Sequence, residues 1–148
     1  MTKVELICIP TKSIPQGISA LLGYSPEIPV EDVLNSMKEN IASVKTLEIT
    51  RASRNARIYS TDIRQGQIIG RIEGSKIITG DTTLEVLKNG ILECGLHTYS
   101  LATLYWGHTT NENEAKETSN QLQRLLPNLE VELVYGGQPR YNYIVSLE

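Results

Sequence analysis

The chain has 148 residues, 14 Lys+Arg against 17 Asp+Glu, a formal net charge of −3, and 40% hydrophobic with 21% charged residues. A chain of this length buries about 68–70% of the surface its unfolded form exposes, so it needs no disulfide or metal staple, and its hydrophobic content argues against disorder. The mild acidity argues against nucleic acid as the main partner, because phosphate binding calls for a large basic excess.

Phe is absent, so the aromatic load falls on seven Tyr and on Trp106, and only Asp32, Asp62 and Asp81 among the acids are Asp. Magnesium–nucleotide sites lean on clustered carboxylates, so no ATP site is expected in this chain. Cys8 and Cys94 belong to no C-x-x-C pair, and His97 and His108 add no ligand spacing. No metal site is expected, and both cysteines read as small core hydrophobes. The first residues hold no long apolar segment and no run approaches ~18 apolar residues. Neither export nor a membrane span is expected, and the chain is assigned to the cytoplasm.

Val4 to Ile9 is short, apolar and β-branched, which predicts a buried first strand stopped by Pro10. Ser13 is placed to cap a helix with Pro15 in its first turn, Ile18, Leu21 and Leu22 on one face, and Gly23 at its end. Val30, Val33, Leu34, Met37, Ile41 and Val44 recur at helical spacing, with Glu31 and Asp32 in the first turn. From Thr46 the period changes to two, and residues 46–80 read as an antiparallel meander with a tight hairpin at Glu73-Gly74-Ser75. Gly66, Gly70 and Gly74 read as turn and bulge residues and not as a phosphate loop, because no helix N-terminus follows them. Thr82 with Glu85, and Asn111 with Glu114, fit capping boxes that open helices over 82–92 and from 111 to Pro127. Residues 100–106, 129–135 and 141–147 read as strands, the first two joined by a parallel, right-handed crossover. The expectation is a single α/β (mixed α+β) domain over residues 1–148, with a mixed sheet and flanking helices.

Ligands of open α/β sheets bind beyond the carboxyl ends of the strands. That rule selects the loops Thr11-Lys12-Ser13, Trp106 to Thr110, and Gly136-Gly137-Gln138, which converge if their strands are parallel neighbours. Such loops also simply cap helices and turn the chain, and His108 reads as a surface loop residue. Lys45, Arg51, Arg54, Arg57, Arg64 and Arg71 face only Glu48 and Asp62 in the same stretch. This is the one basic region of the chain: a docking face for an acidic protein or an anionic ligand, or a solvated sheet face or edge whose charges block edge-to-edge pairing. Tyr135, Tyr141 and Tyr143 crowd together, and at least two of them are expected in the core in place of Phe.

Two segments carry a family resemblance. Pro10 to Gly17 (PTKSIPQG) is similar to a VPTK-x-IPQG segment, and Gly136 to Glu148 (GGQPRYNYIVSLE) is similar to a GGQP-x-Y-x-Y-x-x-S-x-E terminus. Gln65 to Gly70 matches a turn of the same family, and Tyr105-Trp106-Gly107 sits where the family has YG ahead of a Glu-rich helix. The chain resembles the C-terminal domain of the ATP-binding subunit of bacterial fatty acid kinase, a dihydroxyacetone kinase-like protein. Arg140 departs from the pattern, standing where the family often has an apolar residue. Arg54-Asn55 is only loosely similar to the family's Arg-Asp pair, and residues 56–62 look irregular against the family's turn.

The resemblance implies a non-catalytic docking module, or fragment, of a larger protein. In such a kinase ATP and Mg sit on a separate nucleotide domain, and the phosphorylated fatty acid is held by a DegV-like lipid-binding protein that feeds phospholipid synthesis. Any homodimer would form through domains absent here. The partner surface is expected at Thr11, Lys12, Gln16, Arg54, Gln138 and Tyr141, with Gly17, Gly136 and Gly137 setting backbone geometry. A rival expectation is a small-molecule or acyl-binding module with a closed apolar pocket beneath residues 11–17 and 136–141.

Overall fold

Local capping chemistry positions every α-helix but one. The computed structural model describes residues 4–73 and 76–148, and the chain divides into two compact units, Met1–Val44 and Lys45–Glu148.

In the first unit the Ser13 hydroxyl accepts the Gln16 amide at 3.3 Å and starts α1 (Ile14–Leu22), with Pro15 in the first turn. Gly23 ends it because α2 (Val30–Ser43) passes so close that a Cβ there would lie 2.9 Å from Met37 N and from Ser36 C. The two helices are tied by Ser19 Oγ donating to the Asn40 carbonyl at 2.9 Å and Asn40 Nδ2 donating to the Ser19 carbonyl at 3.1 Å. The expected strand at Val4–Ile9 does not form. Those residues are neither helix nor strand, and Val4, Leu6 and Ile7 are exposed. β-Branched residues favour an extended backbone, but a strand also needs a neighbour to pair with, and every strand of the main sheet comes from residues 45–147. Cys8 is accordingly exposed and is not a core residue, whereas Cys94 is half-buried against the core.

The second unit is a mixed α+β body. Its strands are β1 (Lys45–Arg51), β2 (Ala56–Ile58), β3 (Thr61–Ile63), β4 (Ile68–Ile72), β5 (Lys76–Gly80), β6 (Leu101–Trp106), β7 (Glu130–Tyr135) and β8 (Tyr143–Leu147), with helices α3 (Thr83–Gly95) and α4 (Glu112–Leu125). Six strands form one sheet in the order β5-β4-β1-β8-β6-β7, in which only the β6–β7 pair is parallel. The 46–80 segment is antiparallel as expected, with one difference. β1 pairs with β4, and β2 and β3 leave the sheet as a separate hairpin turned by Tyr59 at φ 52°. Gly74 and Ser75 of the expected tight turn lie outside the described residues.

Thr82 caps α3 by accepting the Glu85 amide at 3.2 Å, and Asn111 caps α4 by accepting the Glu114 amide at 2.9 Å. Helix α3 crosses the sheet at close range: a Cβ on Gly90 would sit 2.6 Å from Leu47 Cδ2, and one on Gly70 would sit 2.7 Å from Val86 Cγ1. Gly70 is therefore not a bulge. It keeps regular register opposite Ile49 and Ile78, and its missing side chain makes room for the helix. Leu47, Ile49, Ile68, Val86, Leu87, Ile91, Leu104, Leu122 and Val145 fill the core beneath α3 and α4. Of the crowded tyrosines only Tyr143 is fully buried; Tyr141 is half-buried and Tyr135 is exposed, its ring 4.4 Å from Trp106.

Gly17 lies inside α1 with open space around its Cβ position, so nothing in the backbone requires glycine there. Gly17→Ala is expected to raise stability by about 0.5–1 kcal/mol through helix propensity. Gly90→Ala, which pushes a methyl into Leu47, is expected to lower it by about 1–3 kcal/mol. Urea unfolding midpoints of the two variants check both signs.

Candidate functional site

The loop before β8 and the loop after β6 lock together. The Gly107 amide donates to the Asn142 carbonyl at 2.9 Å, and the His108 amide donates to the Gln138 carbonyl at 3.0 Å. Trp106 O accepts the amides of Gly136 and Gly137 at 3.0 and 3.2 Å, and Gln138 Nε2 donates to the Tyr105 carbonyl at 2.7 Å. Gly107 makes this approach feasible: an added Cβ would collide with the carbonyl oxygens of Tyr141 and Gln138. Gly137 has φ +67°, which favours glycine, and a Cβ on Gly136 would collide with the Gln138 side chain.

Two of the three loops selected from the sequence thus converge, those after the parallel strands β6 and β7. The third, Thr11-Lys12-Ser13, follows no strand and belongs to the other unit. There Thr11 and Lys12 are exposed, and the buried Gln16 turns its Oε1 onto the Lys12 amide at 2.7 Å, closing the start of α1. Gln16 and Gln138 therefore both act on nearby backbone. His108 is a surface loop residue.

The locked loop continues into a groove of about 480 Å³ on the second unit. Its floor is the small apolar cluster of Ala52, Ile63 and Ile69. Its lining carries Arg51, Arg54, Arg57 and Arg140 together with Tyr141, and no Asp or Glu. Arg54 and Tyr141, far apart in sequence, meet here because β1 and β8 are neighbours: the Asn142 amide donates to the Ile49 carbonyl at 2.8 Å, and Thr50 Oγ1 donates to the Arg140 carbonyl at 2.9 Å. Two of the arginines are engaged. Arg51 Nη1 donates to the Gly66 carbonyl at 2.7 Å, and Arg57 lies 3.6 Å from the exposed carboxylate of Asp62. Among the described residues, the guanidinium groups of Arg54 and Arg140 have no ion pair or hydrogen bond. Below, on the sheet, Glu48 holds Arg71 at 2.5 Å and pushes its pKa above the ordinary value, removing that pair from the free charge.

The first unit carries a separate groove of about 390 Å³, lined almost wholly by apolar residues that include Ile7, Ile9, Ile28, Val33 and Met37. Residues 11–17 and 136–141, expected to cover one closed pocket, belong to different units. Cys94 is unsuited to nucleophilic work. Burial pushes its thiol up to about 11, with Lys45 opposing and Glu93 and Glu73 adding to the rise, so it stays protonated at neutral pH. No group of three or more His, Cys, Asp or Glu among the described residues has metal-holding geometry. No described helix is long and apolar enough to cross a membrane.

A family model for the C-terminal region of FakA-like fatty acid kinase proteins matches residues 1–148. The chain belongs to this family. It is 34% identical over 149 residues to protein SH1689 of Staphylococcus haemolyticus and 32% identical over 144 residues to protein YloV of Bacillus subtilis, covering 100% and 97% of this chain. It spans only 27% and 26% of the lengths of those two relatives. Among solved structures it resembles the Streptococcus pneumoniae fatty acid kinase B3 protein, solved loaded with linoleic acid, with a TM-score of 0.53 over 82% of this chain and 50% of that one. At 8% identity that likeness shows a shared fold.

The GGQP terminus, singled out from the sequence, is thus the lock of the site. Gly107 is the residue whose role sequence reasoning missed, since only the crossing of two loops reveals it. Gly107→Ala is expected to destabilise the family domain by about 3 kcal/mol, because backbone carbonyls cannot swing aside as side chains do. A urea midpoint equal to that of the unaltered chain would contradict the lock.

Proposed function

We propose that this chain is the non-catalytic docking domain of a fatty acid kinase. In this reading it holds a DegV-like fatty-acid-binding protein in place. A nucleotide domain outside the chain then transfers the γ-phosphoryl of Mg–ATP to the fatty acid. A carboxylate oxygen of the acid attacks the γ-phosphorus, the bond to the β-phosphate oxygen breaks, and ADP leaves with an acyl phosphate as the product.

The observation that carries this reading is the family match along the entire chain, to a FakA-like C-terminal region that is about a quarter of its relatives' length. The rest of those proteins has ample length for a nucleotide domain. Within the chain, the surface supports recognition better than chemistry. The groove holds no nucleophile–base pair, while exposed Arg and a half-buried Tyr are residue types enriched where proteins meet.

One observation favours a second reading, an acyl-binding module. The apolar groove of the first unit, at about 390 Å³, falls within the range of small-molecule sites. Under that reading a fatty acid raises the melting temperature of the chain with no partner present.

Calorimetric titration of the folded chain with a fatty-acid-loaded DegV-like protein from the same organism tests the docking reading. Binding is expected with Kd below ~100 μM, about −5.5 kcal/mol. Absence of binding at that concentration, with a fatty-acid-dependent melting shift of the chain alone, would replace docking with the acyl-binding reading.

A further inference from the structure

Helix α1 of the first unit is turned inside out. Its buried residues are Pro15, Gln16, Ser19 and Ala20, while Ile14, Ile18, Leu21 and Leu22, which share one face at helical spacing, are exposed. Leu21 is 69% and Leu22 76% exposed. The inward polar groups are satisfied, Ser19 by its paired hydrogen bonds with Asn40 and Gln16 by the Lys12 amide, so the helix is pinned in this orientation. Most helical stability in proteins comes from burying an apolar face, and here that face is left for something else to cover.

Val4–Ile9 repeats the pattern. On an extended backbone side chains alternate between two faces, and both rows are apolar: Val4, Leu6 and Cys8 in one, Ile7 and Ile9 with Glu5 in the other. Ile7 and Ile9 line the apolar groove with Val33 and Met37 of α2. The other row stays open, with Val4 86% and Leu6 95% exposed. A strand apolar on both faces has the composition of one inside a sheet that is covered on both sides. Among the described residues, the backbone groups of Val4–Cys8 find no hydrogen-bond partner, so they offer a ladder to a neighbouring strand.

We infer that Val4–Ile9 is a strand of a sheet belonging to the region that precedes this one in the full-length protein, and that the same region covers the Ile14–Ile18–Leu21–Leu22 face of α1. The occupant follows from where the rest of such a protein lies. The chain matches a C-terminal family region and spans only 27% and 26% of two relatives, so in them the larger part of the polypeptide lies outside it. A region that precedes a C-terminal one joins it on the side of Val4–Ile9. A second copy of the chain fits less well, because two such segments pairing alone form a two-stranded ribbon, which is marginal in water and leaves Leu6 uncovered. The first unit then completes a domain that begins upstream. This inference does not depend on the docking reading.

The test compares hydrogen exchange of the 148-residue chain with that of the full-length protein that carries it. The amides of Val4–Ile9 are expected to exchange about tenfold or more slowly in the full-length protein, as hydrogen-bonded strands do. Leu6→Asp is expected to remove that slowing in the full-length protein and to leave the melting temperature of the 148-residue chain unchanged. Equal exchange in the two unaltered proteins overturns the inference, and this comparison decides even if the variant full-length protein fails to fold. Slowing that survives Leu6→Asp, or a lowered melting temperature of the 148-residue chain on that change, overturns it as well. Slow exchange of the 148-residue chain that is lost on dilution makes a second copy the occupant, and slowing produced by added oleate alone makes a lipid the occupant; each overturns it. The calorimetric titration tests docking separately, so the two readings fail by different results.

Discussion

The second unit depends on the placement of β8 between β1 and β6. Because the last strand is an inner strand of the sheet, its ladder joins the antiparallel β1–β4–β5 half to the parallel β6–β7 half. The strand is held at both ends. Its entry is clamped where Gly107 lets residues 138–142 pass against the loop after β6, and Glu148 beyond its exit exchanges backbone hydrogen bonds with Leu101 at 2.9 and 3.0 Å. Without β8, Tyr143, Val145 and Leu147 would leave the core, and Tyr141 and Arg140 would lose their position beside Arg54. The fold and the site therefore share one constraint.

How much of this the sequence reveals follows the range of each interaction. Helix starts rest on neighbours three residues apart, so Ser13, Thr82 and Asn111 are readable as caps, and the structure shows each accepting the expected amide. The alternation at 46–51, the parallel pairing of β6 with β7, and the mixed sheet are equally legible. Strand pairing over distance is not. Val4–Ile9 has strand composition but no ladder, and nothing local signals that β2 and β3 would leave the sheet while β1 waits for β4. Gly70 and Gly107 carry no distinguishing mark in sequence either, because the atoms that exclude their side chains come from α3 and from residues 138–141.

The site is legible in pieces. Arg54, Gln138 and Tyr141 fall on or beside the groove, whereas Thr11, Lys12 and Gln16 lie in the other unit, where Gln16 serves the start of α1. The basic stretch from 45 to 71 splits on folding. Arg71 is tied to Glu48, and Arg51, Arg54 and Arg57 join Arg140 in the lining of the groove. An exposed ion pair such as Arg57–Asp62 contributes about 0–1 kcal/mol to stability, so the charges of the groove add little to the stability of the fold. The arrangement gives the second unit a groove lined by four arginines and no carboxylate.

Hydrogen exchange of the chain with and without a fatty-acid-loaded DegV-like protein tests the proposed docking reading most directly. That reading predicts slowed exchange in a contiguous set of exposed residues of the chain on complex formation. Exchange unchanged throughout the chain, with the DegV-like protein in excess, would contradict it.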